Sequence, residues 1–235
     1  MINIKKQIEL KTIVISLLVS FMIVLILGIL NHLTITSNSL GMELLSINET
    51  STQSANAVTS VVTYFRGLDT LGEVTILFLA IFGVSLGFEN NKDRLNILAQ
   101  DNFLLQTGVK ILFPLIVLFG FYIIIHGHLS PGGGFQGGVI IASAFLLKFL
   151  THGDKFTLNH KLIKIFESLS GAGFVLFGIL GVVLVDIFFG NFLPLAQMGD
   201  LFSAGVLPLI YIFVGIKVAS EITVLVEYFI KVKDV

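Results

Sequence analysis

The chain has 235 residues, of which 55% are hydrophobic and 12% charged, and its mean hydropathy is +0.97. A soluble domain carries about 25% charged residues, so this composition describes a polytopic membrane protein. The net charge of -1 offers nothing to nucleic acid, and the lack of cysteine excludes disulfides, thiol nucleophiles and Cys-ligated metal or iron–sulfur centres.

A bilayer crossing needs roughly 17–25 mostly apolar residues. The predicted fold is therefore all-α, with about six transmembrane helices: Thr12–Leu30, Leu71–Phe88, Thr107–Ile125, Gly138–Leu150, Leu169–Phe189 and Ser203–Ile230. The first run begins basic at Lys5 and Lys6, as a signal peptide would. Its apolar core is too long for that, and Asn31-His32-Leu33-Thr34 offers no small-residue cleavage site, so it reads as an anchor helix. Residues Asn31–Thr63, rich in Ser, Thr and Asn, read as an external loop.

Arg66-Gly67-Leu68-Asp69-Thr70-Leu71-Gly72-Glu73 leads into the second crossing. Asp69 or Thr70 can cap the helix, Arg66 can pair with Asp69, and Thr70-x-x-Glu73 fits a capping box. Glu73 also lies about one turn inside an apolar run, where an acid faces protein or water and is a candidate for a proton or cation path. The two readings of Glu73 are compatible. The charged segment Glu89-Asn90-Asn91-Lys92-Asp93-Arg94 then marks a junction, dividing the chain into residues 1–90, a junction at 91–106, and residues 107–235.

Between the third and fourth crossings lies His126-Gly127-His128-Leu129-Ser130-Pro131-Gly132-Gly133-Gly134-Phe135-Gln136-Gly137-Gly138. Proline and glycine disfavour regular structure here, and irregular backbone near membrane depth must be covered by protein or line water. The fourth run, about 13 residues long, can span only if this turn dips into the membrane or the helix continues past Lys148. His126 and His128 are either hydrogen-bonded interfacial side chains or proton shuttles. Pro114 is expected to kink the third helix, and Pro208 begins or bends the sixth.

In the last crossing Lys217 and Glu221 share a helix face. They form either a structural ion pair that docks helices or a proton relay. Glu227 lies off that face and reads as an interfacial anchor, while Asp186, near the end of the fifth run, reads as solvated. Twelve of the fourteen Lys and Arg residues fall on one side of a six-crossing chain, leaving Arg66 outside and Lys217 within a span. Both termini are thereby predicted to be cytoplasmic and the Gly-rich turn external. No residue set suits a metal, a cofactor loop or a nucleophile–base arrangement.

The run Gly127-His128-x-x-Pro131-Gly132-Gly133-Gly134-Phe135-Gln136-Gly137-Gly138 resembles the signature of the MnhB/MrpB family, small membrane subunits of multisubunit Mrp-type sodium/proton antiporters. That resemblance extends from about Gln106 to the C-terminus. Tyr64-Phe65-Arg66-Gly67-Leu68-Asp69-Thr70-Leu71-Gly72-Glu73 is similar to the C-terminal segment of the large MrpA protein, which stands alone as the MbhE-type component of membrane-bound hydrogenases. The chain thus resembles an MbhE-like two-helix module fused to an MnhB-like four-helix domain. The resemblance implies an accessory component that works with other Mrp-type or hydrogenase membrane subunits. It also implies Na+ and H+ as the transported ions and Glu73 as part of the ion path. An assembly scaffold without conduction is the competing expectation; an enzyme is the weakest.

Overall fold

The computed structural model describes Ser20, Phe21 and Val24 and residues 39–89, 103–153 and 156–231, and among these it is helical with no strand. The chain divides into two compact units, Met1–Glu43 and Leu44–Val235. In order, the helices are α1 (Ser39–Ser51), the short α2 (Ala57–Ser60) running into a π-helical turn (Val61–Phe65), α3 (Gly67–Glu89), α4 (Phe103–Ile125), α5 (Gly134–His152), α6 (His160–Val185) and α7 (Leu207–Lys231). Five helices among the described residues, α3 to α7, are long and apolar enough to cross a membrane. They match the second to sixth predicted crossings. The first, Thr12–Leu30, lies outside the described residues except at Ser20, Phe21 and Val24, which are helical, and most of the 91–106 junction is likewise outside.

Each boundary has a local cause. Asn159 caps α6, its side-chain oxygen accepting from the Leu162 amide at 3.2 Å. The helix ends at Val185 because Asp186 adopts the left-handed conformation (φ 59°), so Asp186 closes α6, three residues before the predicted end at Phe189. α7 starts at Leu207, with Pro208 in its first turn where a missing amide costs nothing. Pro114 stands inside a continuous α4.

The fourth crossing is longer than its apolar run. It starts within the glycine run and continues past Lys148 to His152, 19 residues in all. Gly133, at φ 145°, turns the chain into α5 in a conformation open to glycine. The glycines that follow are a packing joint. A Cβ on Gly137 would lie 2.6 Å from the Gly120 carbonyl oxygen of α4. One on Gly134 or Gly138 would lie 2.8 Å from the Tyr211 or Gly215 carbonyl oxygen of α7. Small residues let helix backbones meet at this distance.

Two apolar clusters surround α7. One joins Val74 of α3 and Phe174 of α6 to Ile210, Val214 and Val218; the other joins Ile124 of α4 and Ile141 of α5 to Tyr211 and Ala219. Thus α7 is the helix around which the described crossings pack.

The polar stretch expected to be an external loop up to Thr63 is instead largely helical, as α1, α2 and the π-turn. It supplies the cover that the irregular turn requires. Asn56 donates from its side chain to the carbonyls of Gly127 and Ser130, both at 3.0 Å, and Thr59 donates to Gly127 O at 2.6 Å. His128 O accepts from Ser54 Oγ at 2.9 Å and from the Asn56 amide at 3.0 Å. Polar side chains bonded to a turn's carbonyls satisfy groups that lipid could not. That explains why a Ser/Thr/Asn-rich sequence is ordered here.

Candidate functional site

The residues singled out by sequence fall into three places. At the start of α3, Arg66 and Asp69 form the expected ion pair, three residues apart and largely exposed. The capping box is not formed. The helix begins at Gly67, so Thr70 is already inside it, and the Thr70 hydroxyl donates to Val62 O at 2.8 Å, satisfying a carbonyl of the π-turn. Glu73 lies about one and a half turns into α3 on an exposed face beside the exposed Ile76. A carboxylate among apolar side chains on a spanning helix needs a protein or water partner.

Facing this region from α7 is Tyr211, a residue that the sequence alone did not mark. Its hydroxyl accepts from Thr63 Oγ1 at 3.0 Å and lies 3.5 Å from Thr59 O. Glu73 is near enough to act on Tyr211 electrostatically. The only sequence signal was the Thr59-x-x-x-Thr63 spacing, one helical turn, and it has no meaning without its partner 148 residues away.

The second place is the middle of α7. Lys217 Nζ is 2.6 Å from Glu221 Oε1, the lysine side chain 12% and the glutamate 1% exposed. Nζ also lies 5.0 Å from the centroid of the Phe78 ring on α3, a cation–π contact. This pair therefore connects α7 to α3. Glu221 Oε2 has no hydrogen-bond partner among the described residues. Farther along, Glu227 is buried and lies 3.5 Å from His160 Nε2 at the start of α6, so it is not the exposed interfacial anchor that its position suggested. Its burial comes from α6 packing, which helical position alone does not reveal.

The third place is the turn. His126 stacks on Tyr122, centroids 4.2 Å apart, and its Nδ1 lies 3.0 Å from Tyr122 O. His128 is fully buried, and neither ring nitrogen has a hydrogen-bond partner among the described residues. Burial holds its imidazole below the ordinary value of 6.5; the backbone of Asp200 and Leu201, near the ring but outside hydrogen-bond geometry, works in the opposite direction. Pro131 is exposed at the corner, followed by Gly132, Gly133 and Gly134. Among the described residues no group of three or more His, Asp and Glu side chains converges as a metal site would require.

Residues 104–224 match the family described as a domain related to the MnhB subunit of Na+/H+ antiporter. The chain belongs to this family. An uncharacterized protein of Methanocaldococcus jannaschii is 31% identical over 195 residues, covering 72% of this chain and 74% of that protein. The B-type Na(+)/H(+) antiporter subunit of Bacillus subtilis is 39% identical over 82 residues, 35% of this chain and 57% of that protein. The match thus spans less than two thirds of the Bacillus protein.

Among solved structures, a chain of the membrane-bound sulfane sulfur reductase, an archaeal respiratory membrane complex, superposes with a TM-score of 0.74 at 35% identity. The match covers 93% of this MnhB-related chain and 100% of that one. A chain of the Mrp complex from Dietzia sp. DQ12-45-1b matches with a TM-score of 0.67 at 24% identity, 92% of this chain on 25% of that one. This second likeness is one of fold.

Proposed function

We propose that this MnhB-related chain is an accessory integral-membrane component of a multisubunit Mrp-type monovalent cation/proton antiporter in a prokaryotic cell membrane. The observation that carries the reading is the MnhB match over residues 104–224 on a bundle of five apolar helices. In this reading residues 1–90 form an MbhE-like module, residues 107–235 form the MnhB-like domain, and other membrane subunits cover the exposed face of α3. The chain is a transporter component without a catalytic site of its own; redox or pumping chemistry resides in its partners.

Glu73 and Asp69 with Arg66 stand at one end of the ion path, next to the Tyr211–Thr63 contact. Lys217 and Glu221 stand farther along α7, and His126 and His128 flank the covered turn. The cation is Na+, exchanged against H+. The test replaces Glu73 with Ala in the whole complex and follows sodium-dependent proton movement in vesicles. Transport should fall at least tenfold with assembly intact; wild-type rates in an assembled complex would remove Glu73 from the path.

A second reading places the same module inside a redox-driven complex. The match to the sulfane sulfur reductase chain favours it, because that match covers 93% of this chain and 100% of that one at 35% identity. Co-purification separates the two. Redox subunits retained with the tagged chain support the second reading, and antiporter subunits alone support the first.

A further inference from the structure

Glu227 and His160 play no part in the path described so far; they stand at one end of a seam, a spaced row of ionisable side chains on α6 and α7. His160, Glu167 and Gly171 recur along α6 at helical spacing, and α7 runs antiparallel to it. At one end His160 meets the buried Glu227. Six residues toward the other end of α7, about 9 Å along the axis at 1.5 Å per residue, Glu221 lies within electrostatic range of Glu167. One more turn along, Lys217 lies against Gly171, where an added Cβ would be 3.6 Å from Nζ. Glu221 Oε2, on a side chain 1% exposed, is left without a hydrogen-bond partner among the described residues.

We infer that this seam is a proton-loading route from the end predicted to be cytoplasmic to Lys217, with Glu227 and His160 at its mouth and Glu167 and Glu221 inside it. The inference rests on the reading of the chain as part of an ion-translocating complex. The carboxyls are strung along the seam and do not converge, which suits the handing-on of a proton rather than the coordination of a cation by several oxygens at one point. A proton passed from a His160 imidazolium to Glu227 leaves neutral imidazole and a carboxylic acid. Passed on to Glu221 through a file of several waters that would have to enter between the helices, it restores the Glu227 carboxylate and removes the negative charge that pairs with Lys217. Lys217 then keeps its contact with Phe78, on the helix that carries Glu73. Proton arrival at one module is thereby felt at the other. The exposed Lys161 and Lys164 of α6 add positive charge near the mouth and disfavour a second cation there.

Infrared difference spectroscopy of the assembled complex, acidified on the His160 side, should show a buried carboxylic-acid band that Glu221→Gln removes. Glu227→Gln should slow the appearance of that band and proton-coupled transport by at least tenfold, while Glu227→Asp restores both. An absent band, or one unchanged in an assembled Glu221→Gln complex, overturns the proposal. Should Glu221→Gln fail to assemble, unchanged band kinetics in Glu227→Gln overturn it equally. If the band behaves as expected but the wild-type complex exchanges no cation, the antiporter reading fails and the seam stands.

Discussion

Replacing Lys217 with Met should destabilise the chain far more than replacing Lys217 and Glu221 together with Met and Leu. The pair is held at 2.6 Å, with the glutamate 1% and the lysine 12% exposed, so removing Lys217 strands a buried carboxylate. Breaking a buried pair costs about 3–5 kcal/mol, whereas replacing both partners by apolar groups of similar volume is close to neutral. The cation–π contact with Phe78 adds about 0.5–2 kcal/mol that both variants lose. The expected difference between them is thus about 3 kcal/mol in favour of the double variant. Denaturant unfolding of the detergent-solubilised complex, followed by release of this chain from its partners, measures it. Equal stability of the single and double variants would refute the reasoning, since it would mean that the Glu221 carboxylate is not stranded. Transport by the double variant separates roles: wild-type exchange in an assembled complex leaves the pair as a helix-docking device, and loss places it in the path.

His128 should make the covered turn sensitive to acid. Its folded value lies below 6.5, so the unfolded turn binds the proton more readily. The associated stability is fully present above 6.5 and declines as pH falls toward the lower folded value. Hydrogen exchange of residues 127–130 should accelerate on acidification through this window, and His128→Gln should abolish the pH dependence. Gly137→Ala should lower the yield of folded chain by forcing α4 and α5 apart against the 2.6 Å approach to Gly120 O, at about 1–3 kcal/mol for overpacking; an unchanged thermal midpoint would show that the joint is loose.

The apolar runs located all five described crossings because hydrocarbon thickness sets their length. The ends were less legible. Gly134 to Gly138 are poor helix formers by propensity, so α5 was predicted to start at Gly138; contact with α4 and α7 overrides propensity there and adds a full turn. Thr70-x-x-Glu73 matches a capping pattern, but the π-turn at Val61–Phe65 feeds the chain into α3 four residues earlier and takes the Thr70 hydroxyl for itself. The Arg66–Asp69 and Lys217–Glu221 pairs were readable since each lies within one helical turn. Tyr211–Thr63 and Glu227–His160 were not, because each joins distant segments that only tertiary packing brings together.

The glycine run and the acids have separate duties that α7 connects. Gly134 and Gly138 admit α7 at backbone distance on the side of Tyr211, Val214, Gly215 and Val218. Such contacts tolerate no sliding, because a shift of one residue would drive a Cβ into a carbonyl. Fixing that side of α7 fixes the rotation of the helix, and with it the direction in which Lys217 and Glu221 face α3 and α6. The turn is held from above by Asn56 and Thr59, and Thr63, one turn beyond Thr59, reaches Tyr211. The segment that leads into the Glu73 helix and the segment that sets α7 are therefore bonded to each other. A motif without ionisable groups beyond its histidines can in this way determine where the ionisable groups of α3 and α7 stand.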